Sequence, residues 1–199
     1  IVHSAEGVDE WLSEPRKRLQ DWVNKTWLVR INERNRSMGR IEFTPADAKK
    51  LLSQGAAATF LGVTLDTAKS TWSAIIVGDT CLFHFTPSNS GWGCKGYPFK
   101  AVNEFSDNPA SITNRPNTAS IVASDIQSCG ADYKSGDILI MATDALAEWL
   151  YMKLEQKQLP YIIALLNAMS DEKFATFVNQ ERAQKQMKDD DTSLVIIHL

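Results

Sequence analysis

Three short runs of apolar and β-branched residues, separated by very short polar turns, constrain the fold of this chain most. The runs cover residues 56–65, 71–78 and 81–86. Residues 66–70 separate the first two runs, and Gly78-Asp79 marks the second junction. Alternating runs of this length, joined by turns this short, are typical of antiparallel strands. We therefore predict an antiparallel meander in the middle of the chain.

Helical patterns precede this meander. Apolar residues recur at helical spacing over residues 8–28, which predicts a long amphipathic helix. A second helix is predicted to begin after Thr44, because Thr44 is a suitable N-cap, Pro45 suits the first helical position and Asp47 completes a capping pattern. Gly55 is predicted to end this helix.

The remainder of the chain mixes irregular, extended and helical patterns. Residues 87–118 are rich in Gly, Pro, Asn and Ser and predict a long irregular excursion, which is either functional or a surface elaboration. The later elements are predicted as strands over 119–126, 137–143 and 192–199, and as helices over 145–156, 160–169 and 171–187. Antiparallel strands with helices gathered before and after them predict an α+β fold.

Composition narrows the possible classes of protein. A chain of 199 residues is long enough for one domain, and we assign residues 1–199 to it. A net charge of −3 gives no reason to expect nucleic acid or a membrane surface as a partner. No apolar run is long enough to span a bilayer, and no secretory signal opens the chain. The three cysteines are odd in number and far apart, so we expect a cytoplasmic protein.

Acidic residues stand where apolar runs meet turns. Asp79 follows one such run, Asp144 follows another, and Asp190 precedes the last. Carboxylates at several strand ends can meet at one sheet edge, where they suit hard divalent cations such as Mg²⁺ or Mn²⁺. Each position also has a structural explanation: a turn residue, a helix cap, or a solvated charge run over 188–191.

Four segments, in order, carry a resemblance to a known family. Residues 55–65 are similar to a strand that contains Gly-x-Thr, and residues 73–85 are similar to an Ala-x-Val-Gly-Asp-Ser stretch. Residues 136–150 are similar to a segment in which Gly-Asp precedes an apolar run and a small residue followed by Asp ends it. Residues 190–197 are similar to a closing strand. Residues 100–109 match bacterial members loosely. Over residues 50–199 the chain therefore resembles the type 2C metal-dependent serine/threonine protein phosphatases, of the bacterial type.

The resemblance implies a fold, a reaction and site residues. It implies an antiparallel β-sandwich flanked by helices in four layers, and two Mn²⁺ or Mg²⁺ ions that activate a water for in-line attack on a phosphoprotein. Asp144 and Asp190 match ligands of one metal. Asp191 takes a position usually held by Asn, and Asp79 fixes a turn near the core without binding a metal. Both are expected close to the metals, behind the ligands. A bacterial signalling role in the cytoplasm is the corresponding expectation.

Two departures from the family pattern stand beside this match. Ala145 replaces a common Gly, which is strained if that position needs a positive φ and favourable if it begins a helix. The family's N-terminal Asp-Gly hairpin, whose aspartate bridges both metals, has no counterpart. We expect that the chain, which begins with Ile1, is N-terminally incomplete, lacks its first strands and is inactive or nearly so as given. The alternatives are a catalytically dead pseudophosphatase that acts as a binding or regulatory module, and an unrelated scaffold.

Two further features have predicted roles. His84 lies in a strand-like run, where a histidine packed in the sheet is the expected explanation and a catalytic one the alternative. The Gly-rich stretch 90–98 is predicted to be an exposed loop. The alternative is a mobile flap beside the site, in which Trp92 and Lys95 touch the substrate.

Overall fold

The computed structural model describes residues 14, 17–18, 21, 25–26, 28–54, 57–106, 108–113 and 125–199. Contacts divide the chain into two units, residues 1–58 with 111–126 and residues 59–110 with 127–199. The assignment of residues 1–199 to a single domain stays a prediction. The predicted helix over 8–28 lies largely outside the described residues, as do Gly55 and most of the predicted strand 119–126.

The described elements alternate between helices and strands. The helices are α1 (Leu28–Ser37), α2 (Pro45–Gln54), α3 (Asp144–Glu155), α4 (Leu159–Asn167) and α5 (Asp171–Ala183). The strands are β1 (Ala57–Ala58), β2 (Phe60–Asp66), β3 (Thr71–Val77), β4 (Cys81–Ser88), β5 (Gly91–Tyr97), β6 (Ile112–Thr113), β7 (Ile126–Asp132), β8 (Ile138–Ala142) and β9 (Leu194–His198). Within the described residues, none of the helices has the length and apolar character needed to cross a membrane.

The first unit contains α1, α2 and the short antiparallel pair β1–β6. The predicted cap of α2 is confirmed. The Asp47 backbone N–H donates to Thr44 Oγ1 at 3.2 Å, and the Thr44 N–H donates to Asp47 Oδ2 at 2.8 Å. These reciprocal bonds satisfy helix-end groups that would otherwise lack a partner, and the bonds from Thr44 lower the pKa of Asp47.

The second unit contains two sheets, with strand orders β2-β3-β7 and β5-β4-β8-β9. The pairs β2–β3, β4–β5, β4–β8 and β8–β9 are all antiparallel. The predicted meander is right for β2 and β3 but wrong for β4, which lies in the other sheet. The chain changes sheet at Gly78, whose φ of +92° favours glycine. A Cβ atom there would also lie 2.5 Å from the Ala110 carbonyl oxygen.

The two sheets face one another across an apolar layer. Trp72, Ala74 and Ile76 from β3 pack with Leu82 of β4 and Leu139 of β8. Side chains on alternate residues of β4 and β8 point the opposite way and pack on α3, α4 and α5, because successive strand residues face opposite sides of a sheet. The predicted α+β fold, with antiparallel sheets flanked by helices, is confirmed, whereas the fourth layer stays a prediction.

The prediction of an irregular excursion over residues 87–118 is wrong in its first part. Gly91–Tyr97 forms β5, which pairs with β4 from Ser88↔Gly91 to Leu82↔Tyr97. Glycine disfavours strands, but a well-formed neighbouring strand overrides this weak preference. In the described part of residues 98–118, the regular elements are a short 3₁₀ turn (Val102–Glu104) and β6.

Candidate functional site

The junction between β8 and α3 places Asp144 at the end of a buried strand. β8 pairs with β4 on one side and β9 on the other, so it is a central strand. Thr143 has extended backbone angles, and α3 begins at Asp144. Ala145 is the second residue of this helix and is 1% exposed. The position therefore needs no glycine, which confirms the favourable explanation of Ala145.

The Thr143 side chain connects this junction to the closing segment of the chain. Thr143 makes no side-chain cap for α3. Its hydroxyl instead donates to the Asp191 carbonyl at 3.1 Å and accepts the Ser193 backbone N–H at 3.0 Å. The Thr143 N–H also donates to the Ser193 carbonyl at 3.3 Å. Residues 190–193 thus lie beside the start of α3, although they are almost fifty positions away in the sequence.

Arg182, near the end of α5, holds the segment that leads to Asp190. Its Nε donates to the Lys188 carbonyl at 3.2 Å. Its Nη2 donates to the Thr192 hydroxyl at 2.8 Å and also to the Asp190 carbonyl. A planar guanidinium suits this task because its donors point in fixed directions. The family pattern did not single out Arg182, and a lone arginine in a helix offers no sequence signal for it.

Negative charge accumulates at this edge of the sheet. Asp79, in the turn after β3, is half-buried, and its pKa is raised first by burial and then by the negative charge of Asp144. Glu148, one turn further along α3, adds to this effect. Lys188 opposes it and forms an ion pair with Glu148. Asp79 and Asp144 follow different strands in the sequence. In the folded chain, the charge of Asp144 nevertheless acts on Asp79.

The closing carboxylates lie differently. Asp190 and Asp191 are both exposed. The Asp190 carboxylate accepts the Asp191 backbone N–H at 2.7 Å, so part of its acceptor capacity is used locally. Within the described residues, no group of three His, Cys, Asp or Glu side chains is arranged to hold a metal ion. The assignment of Asp144 and Asp190 as metal ligands therefore stays a prediction, as do the positions of Asp79 and Asp191 near the metals.

An open cleft of about 500 Å³ runs along α3, from Ala145 to Glu155. Its charged lining residues are Glu148, Glu155, Arg182, Lys185, Lys188 and Asp189. Positive side chains thus stand next to the acidic edge.

A second polar cluster was missed in the sequence. His84 in β4 and Asp137, immediately before β8, are 6% and 4% exposed. Trp72 Nε1 donates to His84 Nδ1 at 3.3 Å, and His84 Nε2 lies 2.9 Å from Asp137 Oδ2. Because an indole N–H can only donate, His84 carries its proton on Nε2 and donates it to Asp137. Both ring nitrogens are occupied, so His84 is a packed sheet residue, as predicted.

Comparison with known proteins found similar solved structures but no match by sequence. No protein-family model and no curated protein matches the chain. The serine-threonine phosphatase 2C from Toxoplasma gondii is similar, with 10% identity over 96% of this chain and 70% of that one, at a TM-score of 0.48. The phosphatase domain of SpoIIE from Bacillus subtilis, in a crystal form without domain swapping, shares 16% identity over 95% of this chain and 73% of that one, at a TM-score of 0.43.

A third similar structure is the photosystem II phosphatase PBCP, at 16% identity and a TM-score of 0.35. That match covers 45% of this chain and 32% of the PBCP chain, so it spans about a third of that protein. The chain is similar to phosphatases.

Proposed function

We propose that this protein is a metal-dependent phosphatase that removes phosphate from phosphoserine and phosphothreonine in proteins. The observation that carries the proposal is the attachment of residues 190–193 to Thr143. Two of the four family-like segments, far apart in sequence, are joined through one hydroxyl that bonds both to Asp191 and to Ser193. This is the juxtaposition that a shared metal site at Asp144 and Asp190 requires.

The electrostatics of the edge support a cation there. Asp79 and Asp144 repel each other, and burial adds to the cost of ionising Asp79. A divalent cation beside Asp144 would relieve that repulsion. Carboxylate oxygens are the ligands that Mg²⁺ and Mn²⁺ prefer, so the donor chemistry suits the metals implied by the family resemblance.

The number of ligands does not suit a complete centre. Mg²⁺ takes about six oxygen ligands in near-octahedral geometry. The described residues bring no three ligating side chains together, and Asp190 already accepts a backbone hydrogen bond. These residues therefore do not by themselves fit the two-metal centre. For the 199-residue chain we expect weak metal binding and little or no hydrolysis.

The first experiment measures metal binding without relying on catalysis. Thermal unfolding is recorded for the 199-residue chain with EDTA and with millimolar MnCl₂. We expect Mn²⁺ to raise Tm by about 3 °C, which corresponds to a ligand concentration about ten times Kd. Asp144→Asn should abolish the shift. Asp132→Asn, at the exposed end of β7, is the matched control and should keep it. An equal shift in wild type and Asp144→Asn would show that Asp144 is not a ligand.

The second experiment tests the reaction with the protein isolated from its native source. A phosphothreonine peptide is incubated with that protein in MnCl₂, and released phosphate is measured against an EDTA control. We expect hydrolysis that needs Mn²⁺. Hydrolysis that persists unchanged in EDTA would contradict a metal-dependent mechanism.

A pseudophosphatase that acts as a binding or regulatory module is the second candidate. The observation that favours it is the lack of a three-ligand group within the described residues. It predicts that the native protein binds the phosphothreonine peptide but releases no phosphate with any of Mn²⁺, Mg²⁺ or Ca²⁺. Binding is measured by fluorescence anisotropy in parallel with phosphate release, so the two candidates give opposite results in one experiment.

A further inference from the structure

An open cleft of about 720 Å³ lies at the opposite end of α3 from the acidic edge. Its apolar lining includes Trp92 and Cys94 of β5 together with Leu154 and Leu159. Leu154 is ten residues after Asp144 on α3. That separation corresponds to about 15 Å along the helix axis, so this cleft is distinct from the candidate metal site.

One edge of β5 borders this cleft. Among the strands that the structure describes, β5 pairs only with β4. A two-residue turn joins β4 to β5 between Ser88 and Gly91. In a hairpin with such a turn, the two residues that flank the turn, here Ser88 and Gly91, form a hydrogen-bonded pair. Because hydrogen-bonded and non-hydrogen-bonded pairs alternate, the backbone groups of Trp92, Cys94 and Gly96 point away from β4. In the part of the chain that the structure describes, these outward groups have no hydrogen-bond partner.

The Cβ positions of the same three residues lie on the face of the sheet that borders the cleft. Trp92 and Cys94 pack against the helix-facing core, and a Cβ atom on Gly96 would meet the Tyr151 hydroxyl. Residues directly opposite in paired strands share a face of the sheet. A strand added to β5 would therefore place its side chain opposite Cys94 into the apolar cleft, between Trp92 and Leu154.

The rim of the cleft is positively charged. Lys100 and Lys157 line it, and within the described residues neither ammonium group has an ion pair or a hydrogen bond. Among the lining residues, the lysines Lys95, Lys100 and Lys157 outnumber the single acidic residue Glu155, whose carboxylate accepts the Val102 N–H at 3.3 Å. The chain as a whole carries a net charge of −3, so this rim differs in sign from the molecule.

We propose that the edge of β5 is a docking site for an extended, acidic peptide segment of a partner protein, which adds a strand to the sheet. Main-chain hydrogen bonds to Trp92, Cys94 and Gly96 supply affinity, an apolar side chain fills the cleft, and flanking carboxylates meet Lys100 and Lys157. This division of labour is the usual basis of recognition by strand addition. The proposal is independent of phosphatase activity.

The test uses a fluorescein-labelled peptide, acetyl-Glu-Asp-Val-Leu-Val-Asp-Glu-amide, titrated with the 199-residue chain in EDTA and followed by fluorescence anisotropy. We expect saturable binding that the double variant Lys100→Glu/Lys157→Glu weakens by about tenfold or more. EDTA removes any metal, so failure here leaves the phosphatase proposal untouched. No binding at about 1 mM chain, a concentration that reveals even weak complexes, would overturn the docking proposal.

A matched control separates charge from backbone effects. Lys157 has a φ of 59° at the end of α3, and Lys185 has a φ of 57° at the end of α5. Both N–H groups donate to the carbonyl three residues earlier, at 2.9 Å. Lys157→Glu should therefore weaken binding, whereas Lys185→Glu, in the same backbone setting but outside this cleft, should not. Equal effects of the two variants would contradict the proposed site.

Two N-methylated peptides test strand addition itself. In one, the odd-numbered amides are methylated, and in the other the even-numbered amides. A strand bonds to its neighbour through alternate residues only, so one peptide should lose binding and the other should keep it. If both peptides bind as well as the parent, the ligand does not add a strand and the proposal is wrong.

Discussion

Two aspartates flank the same central strand, and the structure gives them opposite surroundings. Asp137 immediately precedes β8 and is 4% exposed. Its Oδ2 atom accepts the Lys134 N–H at 3.0 Å and lies 2.9 Å from His84 Nε2. Asp144, at the other end, is only partly buried and stands within electrostatic reach of a second carboxylate, Asp79. The carboxylate at one end of β8 has buried hydrogen-bond partners, whereas the carboxylate at the other end has a like charge near it.

The two ends of β8 therefore differ in how their carboxylates affect stability. A buried polar group that is fully hydrogen-bonded contributes to a single, well-ordered core, and removing one partner leaves the other unsatisfied. Carboxylates that repel one another cost stability and persist where a ligand offsets the repulsion. We therefore expect substitutions at the two ends of β8 to affect different measurements.

The largest expected effect is the loss of Asp137. Asp137→Ala leaves the buried His84 N–H without an acceptor, and we expect a loss of about 3 kcal/mol in the free energy of unfolding. Asp144→Ala is the matched variant at the other end of β8, and it should change stability by about 0.5 kcal/mol or less, because its helix-end benefit is partly offset by relief from Asp79. Urea unfolding measures both. Similar losses in the two variants would break the comparison.

An intermediate loss of stability is expected from substitution of Arg182, which holds residues 188–192 near Asp144. Arg182→Ala removes three hydrogen bonds to residues 188–192, and we expect a loss of about 1–2 kcal/mol together with weaker binding of Mn²⁺. Arg182→Lys is the control, since it keeps the charge without the planar set of donors. If Arg182→Lys restores stability but not the Mn²⁺-induced rise in Tm, the geometry of the segment matters. Unchanged Mn²⁺ binding in Arg182→Ala would show that this segment has no part in the site.

The smallest expected effect is a pH-dependent gain from Asp79. The pKa of Asp79 is raised in the folded protein, so the folded state holds the proton more firmly than the unfolded state does. The wild type therefore loses stability as pH rises from about 4, the ordinary value for Asp, through the raised pKa. Asp79→Asn should be more stable than wild type at pH 7, and this advantage should vanish below the ordinary pKa. Thermal unfolding across that range, in EDTA, measures it; an advantage independent of pH would exclude the charge as its cause.

Much of the local structure could be predicted from neighbouring residues. The capping pattern at Thr44 and Asp47, the start of α3 within one residue of the predicted Ala145, and the extended pattern of β8 all depend on groups a few positions apart. The order of the four family-like segments also belongs to the sequence, as does the placement of aspartates at both ends of the β8 run. For these features, the relevant contacts are short-range.

The tertiary structure decided what each of these residues does. The strand β5 forms because β4 offers it a ladder, in spite of its glycines, and β4 leaves the meander because Gly78 redirects the chain. Asp137 forms a hydrogen bond with His84, 53 positions away, and Thr143 forms one with Asp191, 48 positions away. An aspartate before an apolar run and one after it look alike in sequence. Burial and long-range partners distinguish them, because the cost of an unsatisfied or repelled charge depends on the groups that folding brings around it.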